Sequence, residues 1–116
     1  MNKQKLERLI QILEDVRDNQ KNFDMGAWST ECGSPSCALG WAAADPEFFS
    51  LGLLLVRGRI YFAGRLGYGA GAGFFGIEWD DSYYIFSPHC YAAAPTAPDV
   101  VIGHIREVIE RNGRAP

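Results

Sequence analysis

Five residues of the chain belong to types that bind zinc, and they fall in three separate segments. Four residues separate Cys32 from Cys37, His89 and Cys90 are adjacent, and His104 lies further along the chain. Structural zinc sites usually contain tight pairs such as C-x-x-C, whose side chains converge on one tetrahedral ion. The spacing departs from that pattern, and neighbouring side chains cannot easily point at one ion. The sequence therefore predicts neither a bound metal nor another cofactor.

Cys37 is also a candidate nucleophile. It lies close to the predicted start of a helix, where the helix dipole and unpaired N–H groups favour the thiolate. The stretch ECGSPSCALGW is similar to the CGSCW sequence of papain-type peptidases, but two residues intervene before Cys37 and the tryptophan is displaced. A nucleophile also needs an oriented base, and nothing in the sequence fixes His89 or His104 near Cys37. A cysteine-dependent hydrolase is the weaker alternative to a small buried thiol.

Charged residues of only one kind occur in the middle of the chain. Residues 48 to 77 contain three arginines but no Asp, Glu or Lys, and glycines and aromatic residues are dense there. Arginine binds phosphate bidentately, backbone N–H groups at glycines approach anions closely, and aromatic faces stack on bases. This combination predicts a ligand site made by Arg57, Arg59, Tyr61, Arg65 and Tyr68. The structural alternative is a hairpin with solvated arginines on its outer face.

Two further patterns are weak. GAGFFG, residues 71 to 76, fits G-x-G-x-x-G, but a dinucleotide site needs a parallel strand-helix-strand unit and an acid about twenty residues on. Asp80 and Asp81 are adjacent, so they point apart or lie in the first turn of a helix. Neither pattern predicts catalysis, and the chain is expected not to be an enzyme.

The elements that position these residues can be predicted from apolar periodicity. Residues 4–19 and 98–112 have the three- and four-residue spacing of amphipathic helices. A short helix is predicted over 36–44, capped by Ser34 or Ser36 and ended by Asp45-Pro46, with one more turn over 47–50. Residues 53–63 predict a hairpin that turns at Arg57-Gly58. Residues 66–76 fit either a glycine loop or a helix, and 80–86 predict one or two helical turns.

Length and composition indicate one α+β domain spanning residues 1–116, with several short helices packed around one small antiparallel β-hairpin. The apolar content is 47%, no run of eighteen apolar residues occurs, and the N-terminus is charged throughout. These features predict a cytoplasmic protein without a membrane segment. The net charge of -3 argues against a nucleic-acid polymer as partner, because that needs a surplus of Lys and Arg.

Three segments give the sequence a family resemblance. FDMGAWSTECGSPSCALGWAA, FFGIEWDDSYYIFSPHCY and TAPDVVIGHI resemble a pattern shared by small uncharacterised proteins of phages and bacteria, over residues 23 to 109. The matching residues are Phe23, Met25, Trp28, Cys32, Gly33, Cys37, Gly40, Trp41, Phe74, Phe75, Gly76, Phe86, Pro88, Tyr91, Pro98 and Val101. The resemblance assigns no ligand role to the cysteines. It implies a phage-type context, in which several small proteins hold a host's signalling nucleotide without chemistry.

The leading hypothesis is a non-catalytic binder of a small anionic, nucleotide-like ligand that sequesters a defence signal. A homo-oligomer with its site at the interface is expected, because chains of this size seldom enclose a nucleotide alone. A module that docks on a host protein stays open as an alternative. The cysteine- and tryptophan-rich segment is interpreted as structural, with its role carried by Trp28, Cys32, Gly33, Cys37, Gly40 and Trp41.

Overall fold

The computed structural model describes residues 1–25, 37–91 and 97–113 and has an α+β fold. Trp28, Cys32 and Gly33 of the predicted structural motif lie outside the described residues, as do the predicted caps Ser34 and Ser36. In chain order the elements are α1 Lys3–Asp18, α2 Ala38–Ala44, α3 Pro46–Ser50, β1 Leu54–Val56, β2 Arg59–Phe62, β3 Arg65–Leu66, α4 Gly67–Phe75, α5 Trp79–Phe86, a 3-10 turn Pro88–Cys90 and α6 Pro98–Gly113.

The two long helices, α1 and α6, pack against each other as their apolar stripes predict. Asn2 caps α1 by accepting the N–H of Lys5, and Arg17 near the other end binds Asp99 in the first turn of α6. The buried faces consist of Leu6, Leu9, Ile10, Leu13 and Val16 on α1, and of Pro98, Val101, Ile102, Ile105 and Val108 on α6. Both predicted helices are therefore confirmed to within one residue at each end.

Two short helices, α2 and α3, make a corner between α1 and the sheet. The N-cap of α2 is Cys37 rather than the predicted Ser34 or Ser36, and its Sγ accepts the N–H of Gly40 at 3.3 Å. Asp45 ends α2 and caps α3, where its carboxylate accepts the N–H of Phe48 and Pro46 fills the first turn. Proline suits that position because the N–H it lacks would have no helical partner. The predicted break at Asp45-Pro46 and the extra turn are both confirmed.

The predicted hairpin is present, but the sheet has a third strand that the sequence interpretation missed. Antiparallel pairing joins Val56 to Arg59, and then Phe62 to Arg65. Both connections are two-residue turns with positive φ at each position, Arg57-Gly58 and Ala63-Gly64. Such turns match the right-handed twist of the flanking strands. The second Xaa-Gly pair therefore folds β3 back onto β2.

The ambiguous glycine-rich segment is a helix, α4, and it packs closely on α5. A Cβ built on Gly71 would lie 2.8 Å from the Oγ of Ser82 and 3.1 Å from a ring atom of Phe86. Ser82 is fully buried and donates its hydroxyl to the carbonyl of Tyr68 on α4. Gly71 and Ser82 thus hold the two helices together, and this packing accounts for the GAGFFG sequence without a dinucleotide.

Aromatic rings join the sheet to the helices in the centre of the protein. The ring of Phe74 contacts those of Phe48, Phe62 and Phe75 edge to face, with centroids 4.9, 5.1 and 5.0 Å apart. The inner face of the sheet, with Ile60 fully buried, packs on this cluster. Within the described ranges, no helix combines the length and apolar character needed to cross a lipid bilayer.

Candidate functional site

A groove of 380 Å³ separates β2 from the beginning of α4, and we call it the sheet groove. It forms because β3 pairs only with Tyr61 and Phe62, which leaves the first half of β2 facing α4 across open space. The residues that line it are Arg59, Ile60, Leu66, Gly67, Tyr68, Gly69 and Trp79. Its volume lies at the lower end of the range for small-molecule sites, roughly 300–1,000 Å³.

The cation of the sheet groove is Arg59. Its side chain is exposed on β2 and makes no ion pair or side-chain hydrogen bond with another described residue. A guanidinium presents five donors in a planar fork that matches a phosphate or carboxylate. Arg59 therefore offers its full donor set to a ligand in the groove.

The N-terminus of α4 contributes backbone donors to the same groove. The N-cap is Leu66, whose aliphatic side chain accepts no hydrogen bond from the first turn. Gly67 follows with φ of 57°, a left-handed conformation next to a right-handed helix. Such a change of hand turns successive N–H groups toward one concave point, where the helix dipole also favours an anion. Glycine is favoured at this φ, because it adopts the left-handed region without the steric cost of a Cβ.

Two aromatic rings, those of Tyr68 and Trp79, line the far wall of the groove, and the ring of Tyr83 packs against both. The indole of Trp79 stacks on Tyr83 with centroids 5.2 Å apart, and Tyr68 meets both rings edge to face at 6.2 and 5.2 Å. Trp79 nevertheless leaves 52% of its surface exposed. A large exposed indole next to an arginine is suited to stacking on a planar ring of a ligand.

The structure brings together only two of the five predicted ligand-binding residues, Arg59 and Tyr68. Arg57 is exposed in the first turn of the sheet, and Tyr61 lies half-buried beside Leu66, outside the groove lining. Arg65 packs along α4, where its side chain would meet a Cβ placed on Gly73 at 3.4 Å. The strand alternation separates these residues because Arg65 pairs with the inward-facing Phe62.

Trp79 is the residue that sequence reasoning missed. It lies outside the arginine-rich stretch and begins α5, so neither charge nor periodicity pointed to it. One sequence signal could have identified it. A tryptophan that begins a helix and is followed by two acidic residues is expected to have its ring at the surface.

A second groove of 360 Å³, which we call the corner groove, lies between α1 and α2. Its rim carries Trp41, half-buried with its Nε1 donating to the carbonyl of Asn22. The charged residues of this groove neutralise one another. Arg8 binds Asp45 through two hydrogen bonds of 2.8 and 2.9 Å, and Lys21 binds Asp15 at 2.8 Å. The corner groove thus has nearly the same volume as the sheet groove, but each charge in these two pairs is matched by an opposite one.

The cysteine chemistry considered from the sequence has little support in the structure. Cys37 leaves 2% of its surface exposed, and burial raises the pKa of its thiol to about 11, an increase that the N–H of Gly40 only partly offsets. A neutral, buried thiol is a poor nucleophile, because the thiolate is the reactive form. Gly40 is buried as well, so Cys37 caps α2 and Gly40 packs it against the core.

The two candidate bases, His104 and His89, have surroundings of their own. His104 lies between the rings of Tyr84 and Tyr91, each with its centroid 4.0 Å away, and its Nδ1 lies 2.9 Å from the carbonyl oxygen of Tyr84. His89 is exposed on the 3-10 turn next to Cys90. Among residues 1–25, 37–91 and 97–113, no three side chains of His, Cys, Asp or Glu are grouped to hold a metal ion.

Comparison of the chain with protein-family models, curated proteins and solved structures finds no match. The resemblance to small phage and bacterial proteins therefore stays a prediction from the sequence pattern.

Proposed function

We propose that the protein binds a small anionic, nucleotide-like ligand in the sheet groove and holds it without chemical conversion. The observation that carries this proposal is the meeting of three ligand-binding features around one open volume. These are the unpaired guanidinium of Arg59, the first turn of α4 and the exposed indole of Trp79.

The three features assign different parts of the ligand to different walls. The phosphate lies between Arg59 and the N–H groups that follow Gly67, because both favour negative charge. The planar base stacks on Trp79, with Tyr68 supporting the indole from the side. A groove of 380 Å³ suits one nucleotide unit or a compact cyclic form better than a polymer.

The lining of the groove favours binding over catalysis. None of the described residues that line it is Asp, Glu, His, Cys, Ser or Lys, so the wall offers no side chain that commonly acts as a general base or nucleophile near neutral pH. A protein that holds a nucleotide without turning it over lowers the free concentration of that nucleotide. In the phage-type context that the sequence pattern implies, this is sequestration of a defence signal.

The test is a native mass spectrum of the protein with a panel of linear and cyclic nucleotides, followed by calorimetric titration of any nucleotide that gives an adduct. Arg59→Ala and Trp79→Ala should each weaken binding about 10- to 100-fold, since a charged hydrogen bond or one base stack contributes about 1–3 kcal/mol. The melting temperature should change little for Arg59→Ala, because that side chain is exposed. Trp79→Ala also removes the ring contacts with Tyr83 and Tyr68, so circular dichroism must show that this variant is folded.

Arg57→Ala is the matched control, because Arg57 is an equally unpaired arginine two residues away, in the turn and outside the groove. Its affinity should equal that of the unmodified protein. Equal losses for Arg57→Ala and Arg59→Ala would indicate general charge attraction and would overturn the assignment of the site. Turnover of the nucleotide would overturn the non-catalytic part of the proposal.

A further inference from the structure

The outer face of the sheet has an unusual composition. The strand register places five side chains on it, which we call the outer sheet face: Leu54, Val56, Arg59, Tyr61 and Leu66. An antiparallel sheet that packs one face on the core normally turns polar residues toward water on the other. Here four of the five outward positions carry apolar or aromatic side chains, and Arg59 is the single charge.

This apolar surface is open and continuous with the wall of the sheet groove. Val56 is 46% exposed, Leu66 is 52% exposed, and Leu66 shares the groove with Trp79. The helices α2 and α4 pack on the opposite side, against the buried Ile60 and its neighbours. A contiguous exposed apolar patch with a polar rim is typical of an interaction surface.

The charges beside the patch are complementary within one copy of the chain. Arg59 is unpaired, while Glu78 and Asp80, on either side of Trp79, are exposed and make no ion pair with a described residue. A two-fold interface must be self-complementary, since the same patch meets itself after rotation. A surface that carries apolar side chains together with both signs of charge meets that requirement.

The geometry of the strands favours contact through the face rather than the edge. The edge strands β1 and β3 have only three and two residues. Strands this short offer too few backbone groups to template a continuous sheet between copies. Face-to-face packing of two small sheets, about 10 Å apart, instead buries the outward side chains of both.

We infer that a second copy of this chain covers the outer sheet face. Val56 and Leu66 of the two copies form the apolar centre, and Arg59 of each copy pairs with Glu78 or Asp80 of the other. This association does not rest on the proposed ligand binding, because Val56 lies outside the groove. The two share Arg59, so a phosphate bound to Arg59 and the ion pair across the interface exclude each other.

The chain offers a closely matched pair of variants to test this inference. Val56 and Val100 are exposed to nearly the same extent, 46% and 48%, but Val100 lies on α6. Sedimentation equilibrium without any nucleotide should show a dimer for the unmodified protein and for Val100→Asp. Val56→Asp should raise the dimer dissociation constant at least tenfold. An unmodified protein that stays monomeric at high micromolar concentration, or equal effects of the two variants, would overturn the inference.

Charge reversal tests the pairing itself and guards against misfolding of Val56→Asp. Arg59→Glu should weaken the dimer, and combining it with Glu78→Arg and Asp80→Arg should restore at least part of the affinity, with unchanged circular dichroism. A triple variant no tighter than Arg59→Glu alone would overturn the proposed ion pairs. Dimerisation is measured without ligand, so a failed dimer test does not decide the proposed function. The nucleotide titration of Val56→Asp tests that function separately.

Discussion

The two grooves of the protein have nearly equal volumes, 360 Å³ in the corner and 380 Å³ at the sheet, and each carries one tryptophan. They differ in what their charges do. In the corner groove the cations Arg8 and Lys21 already bind carboxylates, whereas Arg59 in the sheet groove has no described partner. Space and an aromatic ring are common to both grooves, so the uncompensated charge is the feature that favours the sheet groove as the candidate site.

The same contrast applies to the residues that attract most attention in the sequence. Cys37, Gly40 and Trp41 are prominent in the sequence, yet their roles are structural. Cys37 caps α2, Gly40 packs that helix, and Trp41 lies at the rim of the corner groove. Arg59 and Trp79 lie in less conspicuous segments and remain accessible.

The thiol of Cys37 should react far more slowly than that of Cys90. A pKa raised from 9.0 to about 11 leaves about 100-fold less thiolate at neutral pH, and burial slows the reagent further. Cys90 is only partly buried. Iodoacetamide labelling of the native protein at pH 7, followed by peptide mass mapping, measures both rates, and unfolded protein gives the reference. Rapid labelling of Cys37 would reopen the possibility of cysteine catalysis.

Gly71→Ala should destabilise the protein by about 1–3 kcal/mol, because its Cβ would meet Ser82 and Phe86 in the contact of α4 with α5. Tyr68 and Trp79 are carried by these two helices, so ligand affinity should fall as well. Gly103→Ala is the matched control: nothing lies within 4 Å of its Cβ on α6, and alanine should stabilise that helix by about 0.5–1 kcal/mol. Urea unfolding measures both, and effects of the same sign would contradict the close approach at Gly71.

Asp45→Asn should make the free energy of unfolding less sensitive to low pH. Burial raises the pKa of Asp45, but hydrogen bonds from Arg8 and Phe48 and the charge of Arg8 outweigh it, so the pKa lies below 3.8. A lowered pKa in the folded state gives stability that is present above pH 3.8 and is lost as the pH falls through the folded value. Asparagine can still cap α3, so the variant should lose about 1 kcal/mol at neutral pH and less at acid pH.

Arg57→Ala is the control for this pH experiment, because Arg57 lies in the first turn of the sheet and makes no ion pair with a described residue. Its unfolding free energy should follow the same acid dependence as that of the unmodified protein. If Asp45→Asn kept the full acid dependence of the unmodified protein, the ion pair between Arg8 and Asp45 would contribute nothing measurable to the free energy of unfolding.

Arg57→Asn should stabilise the protein slightly, by about 0.5 kcal/mol, because asparagine tolerates the φ of 52° better than arginine and Asn-Gly is preferred in this turn. Nucleotide affinity should not change. Thermal unfolding and the calorimetric titration measure the two quantities. A loss of affinity would return Arg57 to the site and would contradict the separation of turn from groove.

Much of the fold could be predicted from local patterns, whereas the site could not. The stripes of α1 and α6, the proline after Asp45 and the Arg57-Gly58 turn each act within a few residues, so their signals survive in the sequence. The third strand was missed because it has only two residues, and α4 stayed ambiguous because glycine weakens helix propensity.

The composition of the sheet groove depends on register and on contacts between distant segments. Proximity in sequence grouped Arg57 and Arg65 with Arg59, but the turn and the strand alternation send the three side chains to different places. Trp79 reaches the groove only because α5 packs on α4 through Gly71. A helical packing contact of this kind has no local signature, which explains why Trp79 was not predicted.

The tryptophans of the two grooves, Trp41 and Trp79, allow the location of the ligand site to be tested in one measurement. In ¹H–¹⁵N spectra, the indole N–H of Trp41 reports the corner groove and that of Trp79 reports the sheet groove, with Trp41→Phe and Trp79→Phe to assign them. On titration with the nucleotide panel, we expect the Trp79 resonance to shift with saturation while the Trp41 resonance stays in place. A shift of the Trp41 resonance alone, or none at Trp79 with any nucleotide, would contradict the account.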